Sequence, residues 1–337
     1  MPPNTKGGGF EAKTTQTPYG EMLTEVRIPQ DADAIVIQRP AHPLHPQMIN
    51  LLRQNGRAVI VDMDDDMSMI HPHNSAFTMY RENSNTPFSH KWALESCKVA
   101  SLVTCTTPAL LKRYAAHGRG VLLDNYVPGG YLGLPCPETG AFGWAGTTAS
   151  HPNDLQVTAP AVQRLLDGHY RFAGVGNPAG VKSALRLREE PYFTGTVPLI
   201  KWAETIAATM DVGMIPLAPT AFNTAKSRLK GIEMSSVGVP WVASPRDEYR
   251  RLAKVSGGGL LADSPKEWFS QVKRLMDDHS LREDLAAAGK EYMKTQTYEA
   301  NAWRWWEAWE RAVQMERSSS SPSSPLAVTA QTSLTSA

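Results

Sequence analysis

Residues 225–244, AKSRLKGIEMSSVGVPWVAS, set Lys226, Arg228 and Lys230 within about one helical turn and follow them with Glu233 as the only carboxylate. A helix over 225–237 puts Lys226 and Lys230 at i and i+4 on one face, with Glu233 three residues beyond Lys230 on the same side. Ammonium groups so placed repel each other. An anion seated against them, above all a diphosphate at the helix N-terminus, relieves the repulsion. A carboxylate further along suits hydrogen bonds from vicinal hydroxyls such as those of a ribose. An ordinary solvated basic helix has the same spacing. The preceding stretch, TMDVGMIPLAPTAFNT, reads as a buried strand leaving through two prolines, which delivers the helix start to the strand's carboxyl end, where α/β proteins bind ligands.

A second group of chemical residues is the acid run Asp62, Asp64, Asp65 and Asp66. Its two overlapping D-x-D patterns, with His71 and His73 nearby, admit a divalent cation held by Asp64, Asp66, His71 and His73. The same carboxylates can instead orient a sugar hydroxyl or an acceptor, and Asp64 can serve as a base for an acceptor hydroxyl. For Asp65 and Asp66, capping the next turn is an equal alternative. In TTASHPNDL, His151 is a candidate on the acceptor or sugar side, while Asp154 suits the cap of the helix that follows.

Positioning these groups requires parallel strands alternating with helices. In the first half DAIVIQ, RAVIVDM, SLVTC and GVLLDN are strands, with helices at 46–55, 89–100 and 108–117; Thr107 caps the last and Gly118 stops it. After a Pro- and Gly-rich stretch the alternation restarts. AFGWAG, YRFAGVG, FTGTVP, VGMIPLA, VPWVAS and GGLLA are strands, with helices near 157–167, 201–209, 225–237, 246–254, 265–277 and 280–294. Residues 299–317 form a helix with an apolar stripe at Ala302, Trp306, Trp309 and Val313, widened by Trp303 and Trp305.

The expected organisation is a flexible N-terminus over 1–20, a shortened Rossmann-like domain over 21–130 and a linker over 131–140. A second Rossmann-like domain over 141–295, a closing helix packed across the domains over 296–317 and a disordered Ser-rich tail over 318–337 follow. With 34 Lys and Arg against 33 Asp and Glu, the net charge of +1 gives no reason to expect a general polyanion binder, and any basic surface must be local. Three cysteines at irregular spacing make neither a disulfide framework nor a zinc site, and no apolar run spans a bilayer; a cytoplasmic protein is expected.

The segment DVGMIPLAPTAFNTAKSRLKGIEMSSVGVPWVAS resembles the nucleotide-sugar half of retaining GT-B glycosyltransferases of family four, with FGWAGTTASHPNDL upstream and DSPKEWFSQVKRLMDDHSLREDLAAAGKEY downstream. RAVIVDMDDD, SLVTCTTPALLKRY and GVLLDNYVP are similar to glycosyltransferases carried by bacteriophages of actinobacteria. The likeness runs over about 31–312. It implies a GT-B fold, two Rossmann-like domains facing a cleft, and transfer of a sugar from a nucleotide-diphosphate donor, with UDP the expected nucleotide, to a hydroxyl acceptor.

By that resemblance Glu233 holds the donor ribose, Lys226 and Lys230 neutralise the leaving diphosphate, and Gly146, Thr147 and Thr148 form the loop beneath the phosphates. Gly195 and Val197 line the nucleobase, Ser227 joins the donor side, and Asp64 falls where relatives keep a cleft histidine beside the sugar. Ala225 stands where relatives carry a first Glu, the contact to the transferred sugar, which leaves the sugar open. GT-B enzymes usually manage without metal, so neither metal nor cofactor is expected.

The acceptor is a virion protein or other non-nucleic hydroxyl, or alternatively hydroxymethylated DNA, since 226–254 carries seven Lys or Arg against three Asp or Glu. An epimerase or phosphorylase of the same architecture, or an inactive nucleotide-sugar binding protein, are rivals from other classes.

Overall fold

The computed structural model describes residues 11–17, 20–28, 31–80 and 88–319, which fold as two compact units. The first takes the described residues up to Ser68, Thr78–Asp124 and those from Ala302 onward; the second takes Met69–Phe77 and Asn125–Asn301.

In the first unit β1 (Glu11–Thr17) and β2 (Gly20–Arg27) form an antiparallel hairpin. The described part of the segment expected to be a flexible N-terminus over 1–20 is thus paired as strand, with Thr14, Thr15 and Thr17 opposite Leu23, Met22 and Gly20. Residues 1–10 lie outside the described residues. The parallel sheet runs β3 (Ala34–Gln38), β4 (Ala58–Met63), β5 (Leu102–Cys105), β6 (Gly120–Leu122) in that spatial order. Its inner strands β4 and β5 read as near-continuous apolar runs because helices cover parallel sheets on both faces. Thr107 caps the helix Pro108–Tyr114, its Oγ1 accepting from Leu110 N at 3.3 Å. That helix ends before Gly118 because β6 closes against it: a Cβ on Gly120 would lie 2.5 Å from that of Ala115.

The long helix Tyr298–Ser319 supplies Ala308 and Ala312 to the core formed by Ala58, Ile60, Leu102 and Leu123, with Trp305, Trp309 and Val313 against it. The buried stripe is thus rotated from the expected one, leaving Trp303 and Trp306 61% and 44% exposed. Small alanines at i and i+4 let the backbone approach the sheet more closely than tryptophans would. Glu316 on the same face is buried and accepts from Arg53 Nε at 2.7 Å. The helix ends at Ser319, so the tail expected from 318 lies, beyond that residue, outside the described residues.

The second unit holds β7 (Ala141–Ala145), β8 (Arg171–Val175), β9 (Tyr192–Phe193), β10 (Val212–Ile215), β11 (Trp241–Ala243) and β12 (Gly259–Leu261). All pair in parallel, in the order β12-β11-β10-β7-β8-β9. This is the doubly wound order with its reversal between β7 and β10, so the loops leaving those two strands diverge and open a crevice at their carboxyl ends. Alternate residues face opposite cores: Phe142, Trp144, Val212, Met214 and Val242 one way, Ala145, Ile215, Trp241 and Ala243 the other. The helices Ala159–Asp167 and Pro265–Asp277 cover the first face, and Leu199–Ala207, Leu229–Val237 and Asp247–Ser256 the second. Residues 131–140 are bound into this unit: Tyr131, Leu132 and Leu134 pack on its core, and Asp211 accepts from Thr139 N and Gly140 N at 2.7 Å each.

Candidate functional site at the carboxyl ends of the second sheet

Three glycines let the loops after β7, β8 and β9 nest. Gly146 leaves β7 at φ 152°, and its N–H donates to Val175 O at 2.9 Å. A Cβ on Gly176 (φ 114°) would sit 2.3 Å from Gly146 O, and Gly176 N donates to Gly195 O at 3.1 Å. Gly195 itself has φ 78°, which ends β9 after Phe193 and turns the rest of the expected strand FTGTVP into a loop. Gly176 was not among the expected site residues; its signal is the G-V-G closing the strand at 174–176.

Over this nest stands Lys230. Its Nζ lies 2.9 Å from where a Cβ on Gly146 would be, and 5.2 Å from the Trp144 ring centre. Burial pushes the ammonium down to about 8, opposed by Asp154, reinforced by Lys226 and opposed again by Glu233.

The expected helix 225–237 is broken. Thr220 Oγ1 caps a separate turn, Ala221–Thr224, by accepting from Asn223 N at 3.2 Å, and the second helix begins only at Leu229. Lys226 is therefore in the loop before the helix, not one turn below Lys230 on its face, and its Nζ lies 4.5 Å from the centre of the Phe222 ring. The lysines act on each other through space. Ser227, also in this loop, accepts from Asn125 Nδ2 at 2.7 Å.

Glu233 follows Lys230 by one turn of the helix and accepts from Trp202 Nε1 at 3.2 Å. Burial pushes its carboxyl up to about 7, with the Trp202 bond and Lys230 opposing. The phenols of Tyr131 and Tyr298 are raised, first by burial and then by this carboxylate. Val197 packs against the same core as Trp202.

Thr147 and Thr148 are turned to local work. Thr148 Oγ1 donates to Ala179 O at 2.6 Å, so the hydroxyl expected to face a phosphate instead fastens the β7 loop to the β8 loop. Thr147 Oγ1 accepts from Ala149 N at 3.3 Å.

Asp154 does not cap its helix. Its Oδ2 lies 2.8 Å from His151 Nδ1, and its Oδ1 accepts from Ala218 N at 2.8 Å and Asn223 Nδ2 at 2.6 Å. Its carboxyl is held below the usual range: burial acts upward, but the His151 bond and charge and the two other donors outweigh it. Burial, then Lys230, pushes His151 down to about 4, with Asp154 opposing and Lys226 adding, so the ring is neutral near pH 7. With Nδ1 facing a carboxylate, the tautomer that fits carries its proton there.

The segment Met69–Phe77 packs on the same loop: Ser75 N donates to Ala149 O at 2.9 Å and Asn74 Nδ2 to Ser150 O at 3.0 Å. His71 Nε2 lies 2.9 Å from the Asn153 amide, and the His71 and His73 rings meet edge to face at 5.1 Å.

In the first unit the acid run divides its work. Asp62, at the end of β4, accepts from Thr104 Oγ1 at 2.6 Å and is raised by burial against that bond. Asp64 forms a two-pronged ion pair with Arg39. Arg39 adopts a left-handed φ of 48° at the carboxyl end of β3, a strained position for a non-glycine residue. Asp65 adds its charge toward Arg39. Asp66 is buried and does the turn-capping work given as its alternative: it accepts from Ser68 Oγ at 2.6 Å and Ser68 N at 3.2 Å, and it forms an ion pair with Arg113 at 3.2 Å. Arg39 was not among the expected residues, since a lone Arg before a proline carries no pattern. Among the described residues no three His, Cys, Asp or Glu side chains form a group placed to hold a metal ion, and no helix is long and apolar enough to cross a membrane.

The sequence matches no family model and no curated protein, whereas solved structures match it over most of its length. Sucrose-phosphate synthase from Thermosynechococcus elongatus aligns at TM-score 0.59 and 14% identity, covering 83% of this chain and 73% of that one. HepE from Anabaena, solved in complex with UDP, aligns at 0.57 and 14%, covering 81% and 77%. A glycosyltransferase from Rickettsia africae aligns at 0.54 and 10%, covering 84% and 99%. The fold is GT-B. The second unit is a doubly wound domain, and the nest of Gly146, Gly176 and Gly195 lies at the carboxyl ends of β7, β8 and β9.

Proposed function

We propose that the protein is a retaining glycosyltransferase that moves a sugar from a nucleoside-diphosphate donor, with UDP as the nucleotide, to a hydroxyl acceptor. The observation that carries this reading is Lys230: a cation held over a glycine at the switch point of a doubly wound sheet, at the start of a helix, with Glu233 one turn on. Solved structures of HepE hold UDP, or UDP-glucose, and a GT-B neighbour with these ligands supports the nucleotide. Lys226, Lys230 and the first N–H groups of the helix Leu229–Val237 stabilise the departing diphosphate as the sugar becomes oxocarbenium-like. Two lysines and a helix terminus do the work a metal would do, so neither metal nor cofactor enters this reading. Glu233 takes the ribose hydroxyls.

The first unit takes the acceptor, with Arg39, Asp62 and Asp64 at the strand ends. A cytoplasmic enzyme of phage type glycosylating a virion protein or another non-nucleic hydroxyl fits best. The basic excess of 226–254 that favoured hydroxymethylated DNA is largely engaged: Arg246 binds Asp263 and Leu217 O, Arg250 binds Pro245 O, Arg251 binds Glu248, and Arg228 is buried. Incubation with labelled nucleotide sugars and two acceptors, phage virions and hydroxymethylcytosine DNA, tests this. Label on virion protein from a UDP-sugar is expected; label on DNA alone moves the acceptor, and release of UDP with no labelled acceptor overturns transfer.

A further inference from the structure

One buried carboxylate sits between the two loops that diverge at the switch point. Asp154 is 3% exposed and belongs to the β7 loop, yet its Oδ1 is bound by Ala218 N and Asn223 Nδ2, both from the β10 loop, while its Oδ2 fixes the His151 ring. Asn223 is buried too, and its amide bridges Asp154 Oδ1 and Ala218 O, the latter at 3.0 Å. Three groups thus meet on one side chain, more than a turn or cap requires. The residues that follow Asn223 are those that carry Lys226 and lead into the helix of Lys230.

We infer that Asp154 is the positioning residue of this site, holding His151, Asn223 and the loops after β7 and β10 in one frame against which a nucleoside diphosphate binds. The inference rests on the donor reading above. Two electrostatic observations accord with it. Asp154 is the strongest influence raising Lys230 against burial, so the carboxylate helps keep that ammonium charged. The charged groups facing His151 are Asp154, Lys226 and Lys230, while the Met69–Phe77 segment on the same loop sets His71 against Asn153; the ring meets two cations and stays neutral, its Nε2 lone pair unprotonated.

Two readouts on Asp154→Asn test the assignment. Imidazole ¹⁵N spectra of the ligand-free protein report the His151 tautomer: Nδ1–H is expected in the wild type, with a mixture or the Nε2–H form in the variant. Titration with UDP from pH 6 to 9 should show affinity about tenfold lower in the variant, as loss of a charged hydrogen-bond acceptor commonly costs, and its alkaline decline should begin at lower pH. A merely structural carboxylate would lower the melting temperature and leave tautomer, affinity and pH profile unchanged, which overturns the inference. Wild type that fails to bind UDP sinks the donor reading instead, and the tautomer then decides the positioning role by itself. Should Asp154→Asn not fold, Asn223→Ala removes one donor from the same carboxylate and should move both readouts less, in the same direction; no movement overturns the inference.

Discussion

Lys230 Nζ occupies the space that a side chain on Gly146 would fill: the two are fitted to each other, with 2.9 Å between the ammonium and an ideal Cβ. Gly146 also sits at φ 152°. Gly146→Ala should therefore displace the ammonium and strain the backbone. We expect UDP affinity to fall about tenfold and stability by about 1 kcal/mol or more, read by calorimetric titration and thermal melting. Unchanged affinity with normal stability would mean the glycine serves packing alone.

The charge on Lys230 sets a pH limb. Burial brings it to about 8 in the folded protein from an ordinary 10.5, so the folded state binds fewer protons than the unfolded one between those values. Its contribution to stability therefore rises with pH across that window. UDP binding runs the other way, weakening as pH climbs through about 8 and the ammonium is lost, while binding at pH 9 takes up a proton. Lys230→Arg should flatten the limb, because arginine stays charged. Titrations in buffers of different ionisation enthalpy measure the uptake.

Glu233 faces hydroxyls in this account, and its carboxyl, pushed up to about 7, gains from donors that favour the ionised form. Glu233→Gln should cost UDP roughly 1.5 to 3 kcal/mol of binding, as hydrogen bonds to a charged group do. It should cost a deoxyribose analogue lacking the contacted hydroxyl much less. Equal losses for both nucleotides would place the carboxylate elsewhere.

The Arg39 and Asp64 pair belongs to the acceptor in this account. Arg39→Ala and Asp64→Asn should each lower turnover with acceptor by on the order of 10-fold to 100-fold and leave UDP affinity as it was. Reduced UDP affinity in either variant would contradict that division of labour.

Much of the fold was legible because strands such as AVIVDM and AFGWA are apolar runs bounded by helical patterns, one of them with a clear cap at Thr107. The hairpin at 11–27 was not, since short polar strands carry little periodicity. On the candidate site, Lys230 and Glu233 share one helix, as their charge and spacing suggest. Its start was missed because the break at 225–228 comes from tertiary contacts: Asn223 is drawn to Asp154, 69 residues away in sequence. The same long reach hid Arg39, whose partner is 25 residues on, and made Asp154 look like a helix cap.

The most direct measurement of the central claim is calorimetric titration of UDP into the wild-type protein and Lys230→Ala at pH 7. One UDP per chain is expected in the wild type, with affinity at least about 10-fold weaker in the variant. No binding by the wild type, or equal binding by both, would contradict it.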